Sequence, residues 1–275
     1  MTFSRKTMPN YICETCGTQY AESAQPPVQC PVCVDDRQYV GWAGQKWTTH
    51  HALLEKHKLR IEDDCGLLGI GMPNGFAIPQ RALLLPTDAG NILWECVSMV
   101  TDEAVAEVKA RGGVAKIIIS HPHFYASMIE WSEALGGVPI LLNAADKAWI
   151  QRQAPQIEFW AGDVHKVSDQ VTLLRVGGHF PGSSVLHWKQ GPRVGGALFP
   201  GDALQVVYDR RHVSFMYSYP NFVPMKTSDI RAIRDRLSGY DFADVFGFTW
   251  GLNIIGDGRA AVDASFDRFL AAVEG

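Results

Sequence analysis

The sequence predicts a mixed α/β protein: two sheets, one from each half of the chain, covered by outer helices and preceded by a small cysteine-bearing module. Three observations carry this. Residues 116–120 (KIIIS) form a continuous β-branched run, the pattern of a strand buried on both faces. Residues 259–273 place Val262, Phe266, Phe269, Leu270 and Val273 at helical spacing, and residues 229–237 place Ile230, Ile233 and Leu237 on one stripe. Four of the six cysteines sit in two CxxC pairs near the N-terminus. Such layering suits a four-layer αββα sandwich, and the pattern alone would equally suit a doubly wound sheet.

Taken in order, residues 9–44 are the short cysteine module and residues 45–275 the main domain. A linker-like run with Trp42, Trp47, His50, His51 and His57 is expected to be helical around 50–57. Turn-punctuated β runs follow at 67–72, 76–85 and 91–97. Residues 102–111 have helical composition, with acids early and bases late to suit the helix dipole. After the strand at 116–120, a helix is expected at 125–135, a buried strand at 138–142 and a helix near 145–153. The second half supplies strands at 171–176, 184–188, 197–199 and 244–248 between the turns and the two amphipathic helices.

The chain has 275 residues, 47% hydrophobic and 20% charged, which excludes disordered, collagenous and coiled-coil classes. Lys plus Arg is 25 and Asp plus Glu is 29, a balance of −4 that disfavours nucleic acid as a partner. There is no apolar run of membrane-spanning length, and residues 1–10 lack the apolar stretch of a secretory signal, so a cytoplasmic location is expected. In that reducing setting CxxC pairs read as metal ligands. A small-molecule substrate is the expected partner, and a homodimer is compatible with the sequence.

Cys13, Cys16, Cys30 and Cys33, with 13 residues between the pairs, can close a tetrahedral four-sulfur site. The knuckles CETCG and CPVC resemble those of the rubredoxin and zinc-ribbon family. Their separation is far shorter than in rubredoxins, which favours structural zinc, with iron as the alternative. Cys65 and Cys96, inside apolar runs, read as buried apolar cysteines.

Three further motifs each follow an expected strand: Ser120-His121-Pro122-His123, Gly177-Gly178-His179-Phe180-Pro181-Gly182, and Gly201-Asp202. Glycines at strand ends let the backbone turn tightly and leave a ligand-capable side chain exposed. This order resembles the metallo-β-lactamase-fold superfamily, which includes glyoxalase II-like hydrolases, over about residues 66–275. The resemblance implies the αββα sandwich, a metal held by His121, His123 and His179, and Asp202 as a further ligand or water holder. It would also place second-metal ligands at 125, 126 and near 248–251, where this chain has Tyr125, Ala126 and Phe248-Thr249-Trp250-Gly251. A mononuclear site is therefore expected, with Tyr125 as a candidate acid.

The expected chemistry is attack of a zinc-bound hydroxide, available near neutral pH, on an ester, thioester, lactam or similar carbonyl. One alternative is a mononuclear iron dioxygenase of the persulfide type, using His121, His179 and Asp202. Another is a catalytically degenerate member that only binds a ligand. Glu95 is a candidate support for the metal loop, the aromatic run 213–222 a candidate cleft wall, and Arg210 and Arg211 candidate anion attractors. His50 and His51 could approach the pocket. His187 reads as a satisfied sheet histidine, and His165 and His212 as surface groups.

Overall fold

The computed structural model describes residues 8–73 and 75–275. Its N-terminal part is a three-stranded sheet of order β2-β1-β3, with β1 at Asn10–Cys13, β2 at Gln19–Glu22 and β3 at Trp47–Thr49. The short helix α1, Pro31–Val34, starts on proline, whose missing N–H costs nothing at that position. The third strand of this sheet comes from beyond residue 44, pairing Tyr11 with Thr49. Helix α2, His50–Lys56, follows directly, capped by the Thr49 side chain.

The first large sheet has seven strands in chain order. They are β4 (Arg60–Asp64), β5 (Leu67–Gly71), β6 (Arg81–Thr87), β7 (Gly90–Trp94), β8 (Lys116–Ile118), β9 (Ile140–Asn143) and β10 (Ile157–Trp160). Strands β4 to β7 form an antiparallel meander, and β7 to β10 are parallel. The parallel connections carry α3 (Asp102–Ala110) and α4 (Met128–Ala134). The second sheet has the order β11-β12-β13-β14-β19-β20, built from Val164–Lys166, Val171–Arg175, Ser184–Trp188, Ala197–Phe199, Asp244–Phe246 and Asn253–Ile254. Between β14 and β19 lie two small ladders, β15 (Gln205–Val206) with β16 (Val213–Ser214) and β17 (Met216–Ser218) with β18 (Val223–Pro224), and then α5 (Thr227–Leu237). Helix α6, Gly258–Glu274, ends the chain.

Strand alternation builds the layers. Leu83 and Leu85 of β6 face Leu173, Leu186 and Phe199 between the sheets, whereas Ala82 and Leu84 join the outer cluster with Val108 of α3 and Trp131 of α4. On the other side Val185 and Leu198 pack beneath Ile230, Ile233, Val262 and Phe266. The four-layer αββα sandwich is thus the fold of this chain.

Several local expectations need correction. The strand expected from residue 76 begins only at Arg81, because Pro79 has no N–H to give the ladder and Ala77 has a φ of 50°. The expected helix at 145–153 is a 3₁₀ turn, Ala144–Trp149, in which the Asn143 side chain accepts the Ala145 N–H and diverts the backbone. Cys65 is exposed, not buried: it forms the β4–β5 turn with a φ of 55°. Strands β4, β10 and β11 carry exposed polar residues at sheet edges and escape a search for apolar runs.

Candidate metal centre

Two ligand-capable clusters stand out among the described residues: four cysteines, and three histidines with an aspartate. In the first, Cys13 and Cys33 sulfurs lie 3.5 Å apart and Cys16 and Cys30 sulfurs 3.6 Å apart. A tetrahedral zinc with sulfur at 2.3 Å has edges of about 3.8 Å, so this set could hold such an ion. Tyr20 Oη donates to Cys30 Sγ at 3.0 Å and Gln45 Nε2 to Cys13 Sγ at 3.1 Å, bonds that stabilise charge on sulfur.

The second cluster is assembled by three strand ends. His121 is extended just beyond β8, and Pro122–Phe124 form a 3₁₀ turn that brings His123 back to the same side. His179 stands on the β12–β13 loop, after Gly177 and Gly178, which have φ values of 68° and 76°. Asp202 follows β14 and Gly201. Asp202 Oδ2 lies 3.4 Å from His121 Nε2, 3.8 Å from His123 Nδ1 and 3.9 Å from His179 Nε2. His179 Nε2 lies 3.3 Å from His123 Nδ1. An ion with ligands near 2.0–2.1 Å has tetrahedral edges of about 3.3 Å, so three imidazoles and one carboxylate present metal-sized spacings.

The surroundings suit neutral imidazoles at His123 and His179 and an ionised carboxylate at Asp202. Burial, reinforced by the neighbouring histidines, holds His179 well below the usual histidine range, and burial also lowers His123. Burial raises the Asp202 carboxyl, but His121 and the other imidazoles outweigh this and keep it well below the ordinary carboxylate range. The His179 Nδ1–H donates to the Tyr217 carbonyl oxygen at 2.9 Å, which leaves Nε2 free as a donor to metal. His121 Nδ1 lies 2.7 Å from Ser120 Oγ. Gln80 Nε2 donates to the His123 carbonyl oxygen. Tyr219 Oη donates to the Asp202 carbonyl oxygen at 3.0 Å.

Glu95 supports this set from one residue away. It is 2% exposed, has a φ of 67° and accepts the Ser120 N–H at 3.1 Å. Burial pushes its carboxyl well above the usual range. Tyr125 is not brought to the cavity. It is 3% exposed and its hydroxyl lies 3.5 Å from the Asp146 carbonyl oxygen. Both Tyr125 and Ala126 face the cysteine module instead: Gln19 N–H donates to the Ala126 carbonyl oxygen at 3.1 Å. Trp250 packs against Gly69 and Gly71, where a Cβ would meet its ring at 2.5 and 2.1 Å. The two glycines therefore make room for its indole.

Beside His123, His179 and Asp202 opens a cavity of about 190 Å³, whose walls include Tyr219, Phe248 and Gln38. The aromatic run thus does supply a wall. The module's contribution is invisible in the sequence, because no local pattern marks residues 37–39 as neighbours of a loop near residue 179. Arg37 Nη1 donates to the His179 carbonyl oxygen at 3.1 Å, and its guanidinium sits 3.8 Å over the Phe180 ring. The remaining candidates lie elsewhere. His50 Nε2 accepts the Val100 N–H at 3.0 Å, His51 is exposed beside Glu55, and His187 bonds the Asp241 carbonyl oxygen at 2.8 Å. Arg210 and Arg211 are exposed and do not line the cavity.

No protein-family model matches the chain. It is 39% identical over 238 residues to YmaE, an uncharacterised protein of Bacillus subtilis (strain 168), with 86% of each chain covered. Among solved structures it resembles the DIM-1 metallo-β-lactamase, at 13% identity and a TM-score of 0.57 over 79% of this chain and 99% of that one. VMB-1 matches at 14% identity and a TM-score of 0.59, over 79% and 99% of the two chains. The metallo-β-lactamase from Pontibacter korlensis matches at 15% identity and a TM-score of 0.54, over 76% and 99%. Identities this low speak for the fold alone, and they agree with the layers and strand ends described above. No described helix is long and apolar enough to cross a membrane. By its identity to YmaE the chain belongs to the same family as that protein, and its fold, behind an N-terminal four-cysteine cluster, is the metallo-β-lactamase fold.

Proposed function

We propose that the protein is a metal-dependent hydrolase that works with one zinc ion held by His121, His123, His179 and Asp202. A second zinc at Cys13, Cys16, Cys30 and Cys33 closes the module of residues 9–44 ahead of the domain at 45–275. The reading is carried by one observation: the four donor atoms lie within 4.8 Å of one another, at metal-sized spacings, and three of their residues, His123, His179 and Asp202, line a cavity.

A bound divalent ion with an open position would make water nucleophilic near neutral pH and polarise a carbonyl. The chain's own groups do the rest. Asp202 Oδ1 is buried with no hydrogen-bond partner among the described residues, and it holds and orients the attacking water as an acceptor. Tyr219 fixes the Asp202 main chain through its hydroxyl. Phe248 and Pro79 make part of the wall apolar and exclude bulk water. Ala126 cannot ligate, and the Tyr125 phenol is engaged near Asp146, so the site is mononuclear and Tyr125 serves packing in this scheme.

The test is metal analysis of protein purified without chelators, combined with a panel of esters, thioesters and lactams. About two zinc ions per chain are expected in the parent and one in His121→Ala/His179→Ala, with turnover only in the parent. Iron at the histidine site with oxygen uptake on a persulfide would replace this reading by the dioxygenase. Two ions with no turnover across the panel would replace it by a ligand-binding role.

A further inference from the structure

We propose that the four-cysteine site sets the metal affinity of the histidine site, with Ser218 and Asn221 as the positioning residues that carry the coupling. This rests on the reading above that both clusters hold a metal ion. It gives the cysteine site a regulatory role: the histidine site is complete only while the cysteine site is filled.

The coupling begins two residues past Cys33. Helix α1 contains that cysteine, and the N–H groups of Cys33 and Val34 both donate to the Cys30 carbonyl oxygen. Residues 35–38 follow directly, turned by the Asp35 carbonyl oxygen, which accepts the Gln38 N–H at 2.9 Å. The backbone carbonyls of Asp36, Arg37 and Gln38 then all accept from one turn of the main domain. Ser218 Oγ donates to the Arg37 carbonyl oxygen at 3.1 Å. Asn221 Nδ2 donates to the Asp36 carbonyl oxygen at 3.0 Å and to that of Gln38 at 2.9 Å. Ser218 is buried, and its Oγ also accepts the Asn221 N–H at 3.3 Å, so the two side chains act as one clamp.

The turn that clamps the module also holds two members of the histidine cluster. Its Tyr217 carbonyl oxygen accepts from His179 Nδ1 at 2.9 Å, and Tyr219 Oη donates to the Asp202 carbonyl oxygen at 3.0 Å. Hydrogen bonds therefore run from the knuckle through residues 36–38 and 217–221 to His179 and Asp202. An apolar contact runs beside them. Trp149 packs against the cysteine cluster, and its ring centroid lies 5.3 Å from that of Phe180, the neighbour of His179.

The small core of the module makes this connection switchable. Among the described residues, the buried cluster there consists of the four cysteines, Tyr20 and Val32. So little apolar surface does not hold a fold without an ion, and four thiolates this close repel one another once the ion leaves. Loss of the metal frees α1 and residues 35–38, and their carbonyls leave the clamp. The turn at 217–221 then loses the partner that fixes it under His179 and Asp202. The αββα domain keeps its own buried clusters and stays folded. Two distinct sites, joined by an element that one of them orders, meet the definition of a coupling free energy.

The test measures the zinc affinity of each site by chelator competition. Cobalt(II) substitution marks a filled cysteine site by its thiolate charge-transfer band. In Cys13→Ser/Cys33→Ser the histidine site should weaken by about tenfold or more, with far-ultraviolet circular dichroism showing the main domain folded. Ser218→Ala/Asn221→Ala should keep the thiolate band and weaken the histidine site by a similar factor. All four substitutions together should cost little more than either pair alone, because both pairs break the same connection. Asn221→Asp, of equal size and at an exposed position, replaces the donor by an acceptor without a threat to folding. It should keep the thiolate band and weaken the histidine site in the same direction. Unchanged histidine-site affinity in Asn221→Asp, or additive losses in the combined variant, would overturn the inference.

These readouts need no turnover. Coupled sites with no activity on the ester, thioester and lactam panel would sink the hydrolase and leave the coupling. Turnover with two independent sites would do the reverse. A parent protein that takes up zinc at the cysteines and none at the histidines would overturn both.

Discussion

Arg37 Nη1 and the carbonyl oxygen of His179 are joined by a 3.1 Å hydrogen bond across 142 residues of sequence. The bond ties the cysteine module to the loop that carries the His179 imidazole. Asp35 braces the guanidinium from behind, with its Oδ2 accepting from Nη2 at 2.8 Å. Arg37→Leu removes the brace and leaves a buried carbonyl with one partner fewer. The expected result is a loss of about 10–100-fold in metal affinity at the histidine site, the size typical of outer-shell partners, with the cysteine site unchanged. Arg37→Lys should recover little, because an ammonium cannot reach Asp35 and the carbonyl together in one plane. Competition with a graded series of chelators measures both sites, and equal affinity in parent and Arg37→Leu would refute the tie.

Gly201 is the tightest point beneath the centre. Its φ is +54°, and a Cβ there would stand 2.3 Å from Ser120 Oγ and 2.7 Å from Ser120 Cβ. Ser120 Oγ in turn lies 2.7 Å from His121 Nδ1. Gly201→Ala must therefore move Ser120 or Asp202, besides straining the backbone. The variant should bind one metal ion per chain where two are expected in the parent, with a loss of stability of about 1–3 kcal/mol. A two-ion, fully stable Gly201→Ala protein would show that the approach is not needed.

The candidate ligand cluster is legible in the sequence because each member stands near a strand end, in a short motif with glycine or proline that fixes the turn. His121, His123, His179 and Asp202 lie a few residues beyond the ends of β8, β12 and β14, so finding the strands finds the cluster. The layers are legible for the same reason: β8, β13 and β14 are runs of apolar residues, and α5 and α6 keep a helical stripe. Arg37, Gln38 and Asp146 are not legible. Their partners lie across the fold, and a polar residue after a CxxC knuckle or in a 3₁₀ turn looks like any solvated one. The docking of β2 on the segment at 125 and 126, through the Gln19 N–H and the Ala126 carbonyl oxygen, is likewise tertiary and has no local mark.

Asp146 makes stability depend on pH. Its carboxyl is 1% exposed, and burial raises it to about 6, although the Gly182 N–H it accepts at 2.8 Å pulls the other way. The folded protein thus keeps this proton at pH values where the unfolded chain, with an ordinary carboxyl near 3.9, has released it. The contribution is fully present below about pH 4 and is lost as pH rises through 6, by about 3 kcal/mol in total. Asp146→Asn keeps an acceptor for the Gly182 N–H and removes the titration. Urea midpoints between pH 4 and 8 should show the variant gaining on the parent across that window and staying ahead above pH 6. Parallel curves would show that Asp146 titrates as it does in the unfolded chain.

Arg81 closes a buried ring that spans the two sheets. It is 2% exposed. Its Nε donates to Asp64 Oδ2 at 2.6 Å, its Nη2 donates to Asn253 Oδ1 at 2.7 Å, and Asn253 Nδ2 donates back to Asp64 Oδ1 at 2.7 Å. The remaining guanidinium nitrogen bonds the Gly247 carbonyl oxygen at 2.6 Å, next to the cavity wall at Phe248. Arg81→Met strands the Asp64 carboxylate without its cation, and the expected loss is about 3–5 kcal/mol in urea unfolding. Asp64→Leu added to Arg81→Met removes the stranded charge and should return part of that loss, since an apolar pair can replace a buried ionic one at little net cost. Additive losses in the double variant would mean that the two side chains are not coupled. Because the ring also holds the segment that ends at Phe248, Arg81→Met should widen the cavity as well. A rise in KM beyond any fall in kcat, on whichever ester the parent turns over, would register that widening separately from the loss of stability.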